Sequence, residues 1–399
     1  MYGQKGCNSM IRVIKPRLPG IERSRGLRRR SLVLACLAAI TVTAACSSGS
    51  SGTTGGTQSE PQSECGKAAQ SAYESAMAPP EFELPPAFDT TSMTGKKFAY
   101  VSIITNSIIQ EKYDAFAAAL KSVGAEAIYF DGKGRPDVIT AAIQSAIAQR
   151  VSGIVADGID AAALAGSAVD DANAAGIPVI NTNAGDPSTT LPKGIAANIA
   201  PGIFKTGTLQ ADYALAKTDC KLTAVDVYTT AAKLTVDAAE GFDKEVKRLC
   251  PDDCKVIKLE FNAATYPTSL EPQLRTALQR DPSINAVVLS SGDVTTPYVT
   301  AGVQAVNSNA IVIGAQGDGL VDALKGTPLK ADVVWPPSQT LGYYAADGIM
   351  RAALKQPLTV EVPVRLVDST NWGDDPAISA QFPGSDEIPT NFQTVWGVK

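Results

Sequence analysis

Two consecutive doubly wound α/β units are the fold this sequence predicts, and three observations predict it. Short β-branched apolar runs alternate with helical stretches of 12–15 residues. The alternation stops and restarts midway. The length, 399 residues, suits two domains of ordinary size.

In the first unit, Phe98–Ile104 is a buried strand by length and β-branching, and Gln110–Val123 is a helix closed by Gly124. Ile128–Phe130 is a strand, Pro136–Arg150 a helix with proline in its first turn, and Gly153–Ala156 a strand. Ala161–Ala175 is a helix stopped by Gly176, before the strand Pro178–Asn181. Phe204–Lys217 is a helix at the junction. The second unit repeats the pattern: strand Leu222–Tyr228, helix Thr235–Leu249, strand Val256–Phe261, a helix containing Pro272–Arg280, strand Ala286–Ser290 and helix Thr296–Val306. Strand Ile311–Gly314, a short helix Gly319–Lys325, strand Ala331–Trp335 and helix Ser338–Lys355 complete it. Thr359–Val367 is extended and expected to cross back to the first unit. The expected lobes are therefore Rossmann-like: 95–205 with about 356–399, and 206–355.

Composition excludes several functions. Apolar residues make up 45% and charged residues 19%, which permits a packed core. The absence of histidine excludes a Ser-His-Asp triad, a Cys-His dyad, a histidine-containing zinc site and a histidine proton shuttle. No metal site or cofactor is predicted. Residues 1–31 carry nine Lys/Arg and one acid, a net of +8 in a chain totalling −5, so the remainder carries −13. That balance argues against a nucleic-acid partner.

The basic N-terminus reads as an export signal, 1–45. Arg28, Arg29 and Arg30 precede the uncharged run Leu32–Ala45, about 21 Å long as a helix and too short to span a bilayer. Small residues before Cys46 resemble a bacterial lipobox, which implies acylation of Cys46 and anchoring at the outer face of a membrane; the start codon is Met1 or Met10. Ser/Gly/Thr-rich residues follow as a tether, then a stalk reaching residue 94, with a helix near Cys65–Met77 and the pairs Pro79-Pro80 and Pro85-Pro86. Cys65, Cys220, Cys250 and Cys254 remain in the exported part, an even number in an oxidising compartment, and are read as disulfide-forming. Cys220 and Cys254 each precede a strand, so the preferred pairing is Cys220 with Cys254 or with Cys250.

Ligands of open parallel sheets bind outside the carboxyl ends of the strands. Here those ends are short and polar: Thr105-Asn106-Ser107, Asp157-Gly158, Asn181-Thr182-Asn183, Thr229-Thr230, Ser290-Ser291-Gly292-Asp293 and Gln316-Gly317-Asp318. Two sheets facing each other bring them into one cleft, although each such residue alone also suits helix capping. The expected ligand contacts are Asn106, Ser107, Asp157, Asn181, Asn183, Thr229, Asp293, Tyr298, Gln316 and Trp335. Asp157 and Asp293 are expected to bond ligand hydroxyls or an amine. Tyr298, Trp335 and Trp372 are the candidate cleft aromatics.

The segment order resembles a type I periplasmic binding protein of the ribose- and galactose-binding kind. The resemblance rests on Phe98–Ser107, Ala142–Asp160, Ala172–Asn183, Glu240-Gly241-Phe242, Asn285–Asp293, Ile311–Gly319 and Leu341-Gly342-Tyr343-Tyr344-Ala345, and covers roughly residues 95–370. It implies the solute-binding component of an ABC importer, with a membrane permease as partner and two lobes joined by three crossovers that close on one ligand. The sequence departs from the pattern where relatives carry aromatics (Ile108, Ile109), arginine (Ala184, and Ala238-Ala239 before Glu240) and aspartate (Gln316). Those departures argue against a simple pentose or hexose. The reading is an extracytoplasmic, monomeric, lipid-anchored protein for a sugar, a sugar-like molecule or another small polar solute. A ligand-presenting sensory protein shares every feature. An enzyme is disfavoured, because no nucleophile elbow, P-loop or dinucleotide motif occurs.

Overall fold

The computed structural model describes residues 62–317, 326–358, 362–373 and 377–398. The expected signal, the tether with Cys46, the helix Gly319–Lys325, Asp318 and the Asp293 side chain lie outside what is described. Helix α1 (Glu64–Ser75) starts the described chain, capped by Ser63. The first sheet follows as β1 (Lys97–Ser102), β2 (Glu126–Asp131), β3 (Gly153–Asp157), β4 (Val179–Thr182) and β5 (Ile195–Ile199). Between them lie α2 (Ser107–Ser122), α3 (Pro136–Ala148) and α4 (Ala161–Ala174). The strand order is β2-β1-β3-β4-β5, and each pair is parallel. Every residue of β3 is buried, as a strand covered on both faces must be. One face packs on α3 and α4 through Ile143, Ala146, Ala168 and Val169. Strand β5 was not expected. It is short, alanine-rich and interrupted by Asn198, so no continuous β-branched signal marked it.

Helix α5 (Ile203–Lys217) opens the second lobe. There follow β6 (Thr223–Tyr228), α6 (Lys233–Leu249), β7 (Lys255–Glu260), α7 (Tyr266–Arg280), β8 (Ala286–Leu289), a 3-10 turn (Asp293–Thr295), α8 (Thr296–Ala305), β9 (Ile311–Gln316) and β10 (Leu329–Val334). Helix α9 (Ser338–Leu354), β11 (Arg365–Asp368) and α10 (Ile388–Val395) complete the chain. This sheet has the order β11-β10-β9-β8-β6-β7, parallel except for β11. Helices α5 and α6 cover one face and α7 and α8 the other. The α5–α6 contact depends on glycine: a Cβ on Gly207 would come within 2.0 Å of the Ala238 carbonyl oxygen.

Three boundary expectations are corrected. Helix α9 does not end the second lobe. It crosses to the first sheet, where Tyr344, Ile349 and Met350 pack with Phe98, Tyr100 and Phe116. Nor does the extended run after residue 358 return to the first sheet. Its strand β11 pairs antiparallel with β10 at the edge of the second, while Val362 before it bridges to Pro201 and packs in the first-lobe core. Of the described C-terminal residues, Leu358, Val362 and α10 join the first-lobe core, α10 through Ile388, Phe392 and Trp396. Sequential adjacency was the misleading cue, because parallel topology lets a helix and its preceding strand serve different sheets.

The stalk is not a free spacer either. Helix α1 packs along α5, and Ser63 donates from N and Oγ to Asp219 at 2.8 and 2.7 Å. The chain then runs across both lobes. Arg365 Nε donates to the Met77 carbonyl (2.9 Å) in the second, and Arg351 Nη2 to the Pro86 carbonyl (2.6 Å) in the first. This docking explains the disulfides, which are Cys65–Cys220 and Cys250–Cys254 and not the expected Cys220 pairing. With α1 seated on α5, the Cα atoms of Cys65 and Cys220 are 6.2 Å apart. The turn between α6 and β7 meanwhile brings Cys250 and Cys254 to 5.7 Å. The cysteines do cluster as the strand starts required: Sγ of Cys250 and of Cys254 lie 3.3 and 3.2 Å from the Cys220 carbonyl oxygen. Among the described residues no helix is long and apolar enough to cross a membrane.

Candidate functional site

Two junctions bring the carboxyl ends of the two sheets together. Past β4, the Asp186 backbone N–H donates to Asp237 Oδ2 in the first turns of α6 (2.8 Å), and its carboxylate accepts from the Phe204 N–H of α5 (2.6 Å). Lys233 holds Asp237 at 2.6 Å. At the other junction, the chain leaves the carboxyl end of β10 and enters α9, where Gly342 lies against the Lys112 carbonyl of α2. Since α2 and α6 each follow the carboxyl end of a strand, both junctions lie on the side where the polar strand-end loops of the two lobes are found.

Among the strand-end candidates of the first lobe, Asp157 is the last residue of β3 and fully buried. Its Oδ1 accepts from Thr182 Oγ1 (2.8 Å) and Asn183 Nδ2 (3.0 Å). Its Oδ2 makes no hydrogen bond among the described residues, and the Lys112 ammonium lies 3.8 Å away. Asn183 adopts a left-handed backbone (φ +52°), which asparagine tolerates, and its N–H donates to the Ile199 carbonyl at 3.0 Å. Its Oδ1 is likewise buried and unpaired among the described residues. Burial, and then the charge of Asp157, push the Tyr100 phenol well above its ordinary range, so it stays protonated. Nearby, the Tyr129 hydroxyl links Ser102 (2.7 Å) and Thr105 (2.8 Å).

The remaining first-lobe candidates serve helix starts. Asn106 caps α2, its Oδ1 accepting from Ile109 N at 2.8 Å, and both it and Ser107 are exposed. Asn181 Oδ1 accepts from Ala161 N at 3.4 Å, at the start of α4. In the second lobe Thr229 orders its own turn, accepting from Ala231 N at 3.3 Å. Gln316 lies across Gly292, where a Cβ would come within 2.5 Å of its amide, so the ends of β8 and β9 meet. Beside them Ser291 and Thr295 share a 2.8 Å hydrogen bond. The Asp293 backbone starts the 3-10 turn next to this pair.

The aromatic candidates are packed. Trp335 is 8% exposed, sits in the core under α5, and donates from Nε1 to Thr206 Oγ1 (3.3 Å). Tyr298 stands edge-on to Tyr266 at 5.5 Å, against the α7–α8 core. Trp372 is buried with Phe382, Val334 and Val367. Lys112 and Tyr100 were missed by sequence reasoning. Lys112 belongs to a helix whose polar residues carry no motif, and Tyr100 reads as strand interior. Only the two-residue period of β1, which puts Tyr100 and Ser102 on one side, pointed to it. Among the described residues no cluster of acidic or cysteine side chains is placed to hold a metal ion.

The carboxyl end of the first sheet therefore holds buried oxygen acceptors at Asp157 and Asn183 and one ammonium donor at Lys112. That set suits a neutral, hydrogen-bonding solute better than a nucleophilic reaction.

Known structures share this architecture. An ABC sugar transporter subunit from Rhodobacter sphaeroides 2.4.1 superposes with a TM-score of 0.60 at 20% identity, covering 70% of this chain and 99% of that one. An ABC transporter solute binding protein from Agrobacterium vitis with bound allitol gives 0.60 at 20% identity, covering 75% and 99%. A carbohydrate transporter from Acidothermus cellulolyticus 11B in complex with myo-inositol gives 0.58 at 20% identity, covering 74% and 99%. No curated protein matches the sequence. The periplasmic binding protein domain family matches residues 99–357, nearly all of both lobes, and the chain belongs to that family.

Proposed function

We propose that this protein is an extracytoplasmic solute-binding protein that captures a small polyhydroxylated ligand between its lobes and delivers it to an ABC permease. It is held at the membrane by acylated Cys46. One observation carries the reading: Asp157 Oδ2 and Asn183 Oδ1 are buried acceptors that no described residue meets with a well-formed hydrogen bond, Asp157 facing the Tyr100 phenol and the Lys112 ammonium at the carboxyl end of the first sheet. Buried polar oxygens are costly unless bonded, and the hydroxyls of a bound polyol satisfy them. A ligand that also touches the Gln316–Gly292 wall binds the closed arrangement more tightly than the open one, and this difference drives closure. A thermal-shift screen of sugars, polyols and amino acids, followed by titration calorimetry, tests the reading. A hit raises the melting temperature without being converted. Turnover of the bound solute, or no hit among polyols, refutes it.

A further inference from the structure

A second polar cavity, of about 370 Å³, lies at the hinge, and none of the cleft residues lines it. Its walls come from both sides of the hinge. Glu111 belongs to α2 of the first lobe. Ser338, Gln339 and Thr340 form the first turn of α9, directly after the chain leaves β10. Ser385 and Asp386 belong to the tail that follows β11 of the second lobe. Ser338, Thr340 and Ser385 are 4%, 2% and 8% exposed. None of their three hydroxyls has a hydrogen-bond partner among the described residues, although all three residues line the cavity. The helix start adds further donors. Pro337 occupies the N-cap and supplies no capping side chain, and the first intrahelical bond is Leu341 N to the Pro337 carbonyl. The N–H groups before it are therefore free to face a ligand.

The chemistry of the walls selects the occupant. Helix N–H groups and the Gln339 amide donate, and the Glu111 and Asp386 carboxylates accept. An anion meets two carboxylates, and a cation meets the positive end of a 17-residue helix. A neutral molecule whose hydroxyls both donate and accept satisfies both ends, and the volume is ample for one six-carbon polyol. We propose that this cavity is a second binding site for a neutral polyhydroxylated molecule, which bridges the lobes at the hinge and biases their angle.

The test is titration calorimetry of myo-inositol, mannitol and glucose, with inorganic phosphate as the anionic control, against three proteins. One is the wild type, one the cleft variant Asp157→Asn/Asn183→Ala, and one the hinge variant Thr340→Val/Ser385→Ala. At least one of the three polyols is expected to bind the cleft variant with one site per chain, and the hinge variant to weaken that component at least tenfold. The exposed pair Glu111→Gln/Asp386→Asn is expected to weaken it too, and serves if the hinge variant does not fold. No polyol binding to the cleft variant, binding unchanged in both hinge-side variants, or binding of phosphate instead of polyol overturns the proposal. Loss of cleft binding alone, with hinge binding retained, bears on the cleft assignment and leaves this site standing.

Discussion

Replacing Asp157 by asparagine changes one atom at the carboxyl end of β3 and leaves the side-chain shape intact. Thr182 and Asn183 both donate to Oδ1, and an amide oxygen has two lone pairs, so both bonds survive. The other atom, facing Lys112 at 3.8 Å, changes from a charged acceptor to a donor. The ligand then loses a hydrogen bond to a charged group, worth about 1.5–3 kcal/mol, or roughly 10- to 150-fold in affinity. Stability falls as well, by about 3 kcal/mol, because both groups are buried and the Lys112 ammonium is left without its counter-charge. Titration calorimetry with the best screened solute reads the first effect, and thermal unfolding without ligand reads the second. Affinity within twofold of wild type, in a variant that thermal unfolding shows to be folded at the assay temperature, would remove Asp157 from the site.

Four further outcomes follow from the same coordinates. Removing the Cys65–Cys220 disulfide, which spans 155 residues, should cost about 5 kcal/mol, against about 2 kcal/mol for Cys250–Cys254; denaturant unfolding of the two serine double variants checks the order. Gly207→Ala should destabilise by about 3 kcal/mol by forcing α5 from α6, and an unchanged melting temperature contradicts that contact. Burial, together with the Glu245 carboxylate, raises Asp212 from 3.8 to about 8, so the folded state holds a proton the unfolded chain releases. Its stabilising contribution is full below about pH 4 and is lost as the pH rises to about 8; Asp212→Asn should flatten that decline, and a parallel pH profile would refute it. Cys46→Ser should move the protein from the membrane to the soluble fraction, and continued retention refutes acylation at that sulfur.

Much of the architecture was legible because parallel strands buried on both faces must be apolar. Gly153–Asp157 and Ala286–Leu289 announce themselves in this way, and their last or following residues mark the cleft. What failed was the assignment of elements to lobes. Nothing local in Ser338–Leu354 says which sheet it covers, since an apolar helix face fits either. The docking of α1 was hidden for a related reason: a short helix after a flexible tether looks independent until its cysteine finds a partner. The site divided along physical lines. Asp157 and Asn183 could be read as strand-end polar residues, whereas Asn106 and Asn181 look the same in sequence and serve helix starts. Trp335, aromatic at a strand end, is held in the core by α5, a contact that no spacing in the sequence encodes.

Small-angle scattering with and without a saturating cleft ligand tests the two-lobe clamp most directly. The account predicts a smaller radius of gyration on binding in the wild type, and none in Asp157→Asn at the same ligand concentration. A ligand that calorimetry shows to saturate the wild type while its scattering curve stays the same would contradict it.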